Sequence, residues 1–188
     1  AHVACLVRQA EIEQKRWDEE HTGEGHNKWE KCFDCGQRFH GAVAHALGWA
    51  CWKTYLGRPE TSRLRLIGLA VLGGSFVLIG RSAEALPVLE ANLALARRYW
   101  SKGDILIAQT NLSGCLDLVG RHAEALVLTR EIYVGFLATY GISDERTITS
   151  GLTLAGTLWY QKHREEARLL VRDTLLPAAR RSLGSDDD

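Results

Sequence analysis

Apolar residues along most of the chain recur at helical spacing, and their rhythm sets out the elements. Val3, Leu6, Val7, Ala10 and Trp17 repeat near a 3.6-residue period with charges between them, which predicts an amphipathic helix over 3–20. From 21 to 31 the composition turns to Gly, His, Asn and Lys without periodicity, which predicts a loop. A dense apolar helix carrying Val43, Leu47, Trp49, Trp52 and Tyr55 follows over 41–56. Gly57-Arg58-Pro59-Glu60 stops it, because Gly suits the position past a helix end and Pro cannot continue one. The rest reads as helix pairs, A then B: 62–79 with 82–100, 104–119 with 122–139, and 146–161 with 164–182. Ser82 reads as an N-cap with Glu84 at the positive end of the helix dipole, and Arg97 and Arg98 suit the negative end. Pro87 and Pro177 fall inside B helices, where each removes a backbone bond and should bend its helix. No long stretch alternates with period two, so essentially no sheet is expected.

The pairs are copies of one another. Leu72-Gly73-Gly74 precedes Gly80-Arg81-Ser82-Ala83-Glu84-Ala85-Leu86; Leu112-Ser113-Gly114 precedes Gly120-Arg121-His122-Ala123-Glu124-Ala125-Leu126. Leu154-Ala155-Gly156 precedes Lys162-His163-Arg164-Glu165-Glu166-Ala167-Arg168. The small residues Gly73, Ser113 and Ala155 recur 40 and 42 residues apart, each 12 positions before Ala85, Ala125 or Ala167. Self-similarity at this period marks an array of stacked units. Antiparallel helices approach closely only where the residues at their crossing are small, so each small residue and its Ala are expected to meet there. The chain ends on Gly184-Ser185-Asp186, an echo of Gly141-Ile142-Ser143-Asp144, as though another repeat or a longer protein follows.

A small residue, a large apolar one three positions on (Phe76, Leu116, Leu158) and an Ala at plus 12 resemble the tetratricopeptide repeat. The period near 42 and the Asn-Leu…Gly-Arg-x-x-Glu-Ala wording are similar to the kinesin light chain type, over about residues 62–184. The resemblance implies an all-α, right-handed α-α solenoid of antiparallel helix pairs whose A helices line a concave groove for peptides or proteins, with no catalysis. Carried over position by position, it implies a partner groove of Ile107, Thr110, Asn111, Gly114, Asp117, Leu152, Thr153, Gly156, Trp159 and Tyr160. In the first copy it implies Ile67, Ala70, Val71 and Val77. Asn111 matches a position where the family often bonds a partner's main chain; Val71 and Thr153 depart from that pattern and leave a more apolar groove.

Composition narrows the classes. Over 188 residues, 46% apolar and 24% charged is ordinary for a folded chain. Lys+Arg and Asp+Glu both number 23, and this zero balance argues against nucleic acid as the main partner. The most apolar run, 66–79, is too short and Gly-rich to span a membrane, and the N-terminus lacks a secretory layout. Five Cys, an odd number with only Cys32 and Cys35 close together, suit a reducing intracellular compartment with metal-directed thiols better than a disulfide scaffold.

Cys32, Cys35, His40 and His45 have the spacing C-x2-C-x4-H-x4-H, and two thiolates with two imidazoles satisfy a tetrahedral structural Zn2+. Gly36 eases the tight backbone after the second Cys. The segment resembles a zinc knuckle, departing from it at His45 and Phe39, and Cys51 is the rival fourth ligand. Such a metal would staple the loop before helix 41–56 into a cap on the first repeat. His21-Thr22-Gly23-Glu24 resembles a zinc-finger linker, but no His follows at the finger's spacing. The domain reading is therefore an N-terminal helix (1–20), a zinc-stapled cap (21–60) and repeats over 61–103, 104–145 and 146–188. No nucleophile elbow, phosphate loop or H-E-x-x-H motif appears. A non-enzymatic protein-interaction scaffold, or subunit of a larger assembly, is the expected function. The alternative is a single-stranded nucleic-acid module built on the knuckle, using Trp29, Phe33, Lys28, Lys31 and Arg38.

Overall fold

The computed structural model describes residues 3–20, 29–32 and 34–183. It divides into two compact units, Ala1–Tyr99 and Trp100–Asp188. The first holds α1 (Val3–Glu20), α2 (Gly41–Tyr55), α3 (Arg63–Leu78) and α4 (Ser82–Tyr99). The second holds α5 (Lys102–Leu118), α6 (His122–Tyr140), α7 (Glu145–Tyr160), α8 (Arg164–Leu169), a π turn (Leu170–Leu175) and α9 (Leu176–Leu183). Among the described residues the only pairing outside helices is one antiparallel bridge, Lys31 with Arg38. The predicted loop over 21–28 and the echo at 184–188 lie outside the described residues.

In the first unit, α1 packs on α2, α2 on α3 and α3 on α4. Ala10, Trp29, Leu47, Cys51, Tyr55 and Val71 form its buried core. The Trp29 indole N–H donates to the Tyr55 hydroxyl at 3.3 Å, so its one polar atom is satisfied inside the core. Glycine sets how near the helices come. A Cβ on Gly48 would collide with the Ser75 side chain, and one on Gly73 would stand 2.5 Å from Leu89 Cδ2. Leu89 is 1% exposed, and burying such a side chain contributes about 1.5–3 kcal/mol. Buried Asn92 Nδ2 donates to the Leu66 carbonyl of α3 at 2.7 Å, pinning α4 against its partner.

The second unit repeats the device. Gly135 of α6 admits Leu106 of α5, and Gly151 of α7 admits Leu175 of the π turn, where an added Cβ would stand 2.5 Å from Leu175 Cδ2. Ser113 and Thr129 hydroxyls meet at 2.7 Å between α5 and α6. Thr129 gives its own hydrogen to the Ala125 carbonyl, so Ser113 supplies the hydrogen of the pair. The expected meeting partners are corrected here. Gly73 faces Leu89 and Ser113 faces Thr129, one helical turn beyond Ala85 and Ala125. Those alanines are buried too, at 0% and 1% exposure, but they are not the residues in closest approach.

Each hinge is closed by the same backbone bond. Arg81, Arg121 and His163 N–H donate at 2.9 Å to the carbonyls of Phe76, Leu116 and Leu158, the large apolar residues of the repeat. This places Gly80, Gly120 and Lys162 in the left-handed region, at φ +76°, +83° and +67°. The B helices are then capped one residue before the expected Ser82, which is itself the first helical residue: Ala85 N–H bonds the Arg81 carbonyl at 3.1 Å, and Arg121 and His163 serve likewise. Side-chain caps stand on α5 and α7, where Ser101 Oγ accepts from Asp104 N–H and Asp144 Oδ1 from Arg146 N–H, whereas Ser62 before α3 makes none. Pro87 is carried within a continuous α4. Before Pro177 the helix widens into the π turn, and Leu176 N–H reaches back to Val171.

Lys162 is the one described non-glycine residue in the left-handed region, at a conformation that costs roughly 1–2 kcal/mol for an L side chain. Lys162→Gly is expected to stabilise the protein by about 1 kcal/mol, read as a raised midpoint in thermal or urea unfolding. Asp144 is held at about 2 by the Arg146 guanidinium and by backbone donors at the start of α7. Because its folded pKa lies below its ordinary 3.8, its contribution is present above about pH 4 and lost as pH falls through about 2. Asp144→Asn is therefore expected to lower stability near neutral pH and to flatten the loss between about pH 4 and 2 in pH-resolved unfolding curves.

Candidate functional site

The helix rhythm that buries Leu106, Leu112, Cys115 and Leu116 of α5 turns Ile107, Thr110, Asn111 and Asp117 outward. On α7, burial of Leu154, Ala155 and Leu158 turns Leu152, Thr153, Trp159 and Tyr160 outward. Both helices pack on α6. Large apolar groups stand in solvent here: Ile107 is 56% exposed, Leu152 52%, Trp159 54% and Tyr160 87%. Leu118, 62% exposed at the end of α5, belongs with them; sequence reasoning passed over it because it lies off the positions carried from the repeat family. Thr110 and Thr153 donate to the Leu106 and Thr149 carbonyls of their own helices, leaving hydroxyl lone pairs outward. Asp117 Oδ1 pairs with His122 Nδ1 at 2.6 Å, and Gln161 Nε2 donates to the His122 carbonyl at 2.6 Å, tying the end of α7 to the α5–α6 turn. The Arg164 guanidinium lies 5.5 Å from the Trp159 ring centroid and steadies it.

The first repeat does not present a matching face. Val71 is 6% exposed in the core under α2, with Ile67 packed beside it. Val71 and Ile67, two of the expected groove positions on α3, are thus taken up by the packing against α2, for which Gly48 makes room.

The Cys/His segment divides. Three backbone bonds make a tight hairpin of the described residues between Glu30 and Phe39: Cys32 N–H donates to Gln37 O at 2.8 Å, Gly36 N–H to Cys32 O at 2.9 Å, and Phe39 N–H to Glu30 O at 2.8 Å. Gly36 takes φ +68°. Cys32 is half-buried and Cys35 exposed. Backbone N–H groups of Cys35 and Asp34, with the Cys35 side chain, hold the Cys32 thiol below its ordinary value. His40 is exposed just ahead of α2. His45 points elsewhere. Its Nε2 accepts from Trp49 Nε1–H at 3.2 Å and its Nδ1 faces Ser75 Oγ at 3.3 Å, with the ring edge-on to Phe76 at 4.7 Å. Ser75 Oγ donates to the Leu72 carbonyl at 2.7 Å, which fixes the Nδ1–H tautomer and occupies both ring nitrogens. Cys51 is fully buried among apolar groups, which pushes its thiol up strongly. Among the described residues no group of three or more His, Cys, Asp or Glu is placed to share a metal ion. The expected quartet of Cys32, Cys35, His40 and His45 is therefore not assembled, because His45 is spent on the α2–α3 contact.

Of the residues expected to form an aromatic platform for single strands, Trp29 is not available at the surface. Trp29 is 1% exposed, while Phe33 and Lys28 lie outside the described residues. A cavity of about 10 Å³ beside Cys32, lined by Leu6, Glu13, Lys31 and Phe39 among others, has room for one water and no substrate. No helix among the described residues is long and apolar enough to cross a membrane.

Comparison with known proteins fits this architecture. No family model matches the chain, and no curated protein matches it. Among solved structures it is similar to nearly identical TPR-like repeats of the kinesin light chain type from Podosopora anserina, with 17% identity and a TM-score of 0.64 over 98% of this chain and 99% of that one. A singly substituted form of the same repeats gives a TM-score of 0.65 at 17% identity and the same coverage. The Rap protein complexed with competence and sporulation factor aligns over 98% of this chain and 51% of its own, at 12% identity and a TM-score of 0.62. The fold is thus a tetratricopeptide-like helical repeat.

Burial orders the thiols. Exposed Cys5 and Cys35 are expected to react with a disulfide reagent in the native protein on the order of 100-fold or more faster than buried Cys51 and Cys115. Residue-resolved mass spectrometry during a labelling time course checks this.

Proposed function

We propose that the chain is a non-enzymatic protein-interaction scaffold that holds a partner protein on the outward face of α5 and α7. The observation that carries this reading is the cluster of solvent-exposed Ile107, Leu118, Leu152, Trp159 and Tyr160 on the two A helices of one unit. Apolar exposure repeated along one face of each helix, interspersed with Thr110, Asn111 and Thr153, is characteristic of interaction surfaces. Trp and Tyr are residue types that dominate binding energy, and Asn111 offers both a donor and an acceptor to a main chain. Two further observations support it. The solved Rap protein of similar fold is complexed with competence and sporulation factor, and the repeat positions of this chain are occupied by packing residues.

A partner isolated with the wild-type chain is expected to bind Trp159→Ala roughly 10- to 100-fold more weakly, and Asn111→Ala more weakly as well. Val127→Ser, at an exposed site on α6, should leave its affinity unchanged. Titration by calorimetry of the three variants against that partner decides the matter; equal affinity of all three removes the α5–α7 face as the binding surface.

A further inference from the structure

The Cys32–Cys35 hairpin is not explained by the repeat face, and its geometry asks for a ligand of its own. Three backbone bonds close it into a turn whose tip, residues 34–38, is exposed throughout. The turn places the two sulfur-bearing residues at i and i+3, with Gly36 in the left-handed region directly after the second, the arrangement in which both thiolates can bind one soft or borderline cation. A second feature points the same way. The bridge that closes the hairpin sets Lys31 directly opposite Arg38, and like charges facing across a pair of strands weaken it. An anionic centre beside the bridge reverses that sign.

We propose that Cys32 and Cys35 form half of a Zn2+ site that is completed by the same two cysteines of a second copy of this chain. Four thiolates make the tetrahedral sulfur shell that structural zinc takes, at a net charge of −2 that Lys31 and Arg38 from each copy surround. His45 and Cys51 take no part, the first held between Trp49 and Ser75, the second sealed in the core. Loading is a simple exchange: two thiol protons leave each chain as one Zn2+ enters between them, and nothing is oxidised. This site is independent of the α5–α7 face, and either reading stands if the other fails.

The test measures zinc content by elemental analysis and mass by light scattering on full-length protein loaded with Zn2+ and dialysed. The expected result is one zinc per two chains in a dimer that chelation by EDTA returns to monomer. Cys35→Ser, at an exposed position, should lose zinc and dimer together while keeping its helical circular dichroism. Lys31→Gln with Arg38→Gln should weaken zinc binding about tenfold without unfolding the chain. His45→Asn should keep the half-zinc stoichiometry. One zinc per chain in a monomer, a dimer that survives both EDTA and Cys35→Ser, or folded protein that takes up no zinc would each overturn the proposal.

Discussion

The structure depends on a steric condition at the helix crossings: a bulky residue on one helix must seat where its neighbour has no side chain. Leu89 over Gly73, Leu106 over Gly135 and Leu175 over Gly151 are three instances, each so close that a methyl group in place of the glycine hydrogen would overlap the leucine. Overpacking of that kind costs about 1–3 kcal/mol at a single site, a large share of a typical domain's stability. The hinges follow from the same condition. Helices this close need short turns, and the left-handed residues Gly80, Gly120 and Lys162, with the bonds to Phe76, Leu116 and Leu158 carbonyls, supply them. The outward faces are what remains after those contacts are made.

That division explains why the two units differ in what they offer. In Ala1–Tyr99, α2 lies on α3 through Gly48 and Ser75, and Val71 is spent on a core. In Trp100–Asp188, α5 and α7 keep Ile107, Leu118, Leu152, Trp159 and Tyr160 in solvent. Ion pairs adjust to the same pattern. Arg81–Glu84 and Arg121–Glu124 close their own hinges, whereas Glu166, whose hinge carries His163, reaches to Arg130 of α6. Exposed as they are, these pairs set local geometry more than stability.

Much of the fold was legible in the sequence because it rests on local signals. The helix periods, the Gly hinges and the repeat spacing place all the A and B helices within a residue or two of α3 to α7 and of the α8–α9 run. What the sequence hid were choices that only tertiary contacts make. The spacing of Gly73 to Ala85 marked two packing faces, but the depth at which the helices interdigitate selected Leu89 instead. His45 reads as a ligand from its interval to Cys35, yet the ring is aimed by α2 at Ser75, Trp49 and Phe76, two of which lie on the next helix. Trp29 looks like an exposed platform in a polar stretch and is a core residue because Tyr55 satisfies its N–H. Pro177 foretold a disturbance, and its form, a π turn ending on Leu175 that sits against Gly151, is a tertiary detail no local signal carries.

The central claim is that the face of α5 and α7 left open by this packing is where a partner protein sits. A photo-crosslinking amino acid placed at Leu152, and in a separate protein at exposed Val134 on α6, tests it most directly. Crosslinked partner at position 152 and none at 134 is the predicted result. Crosslinks at 134 with none at 152 would contradict the account.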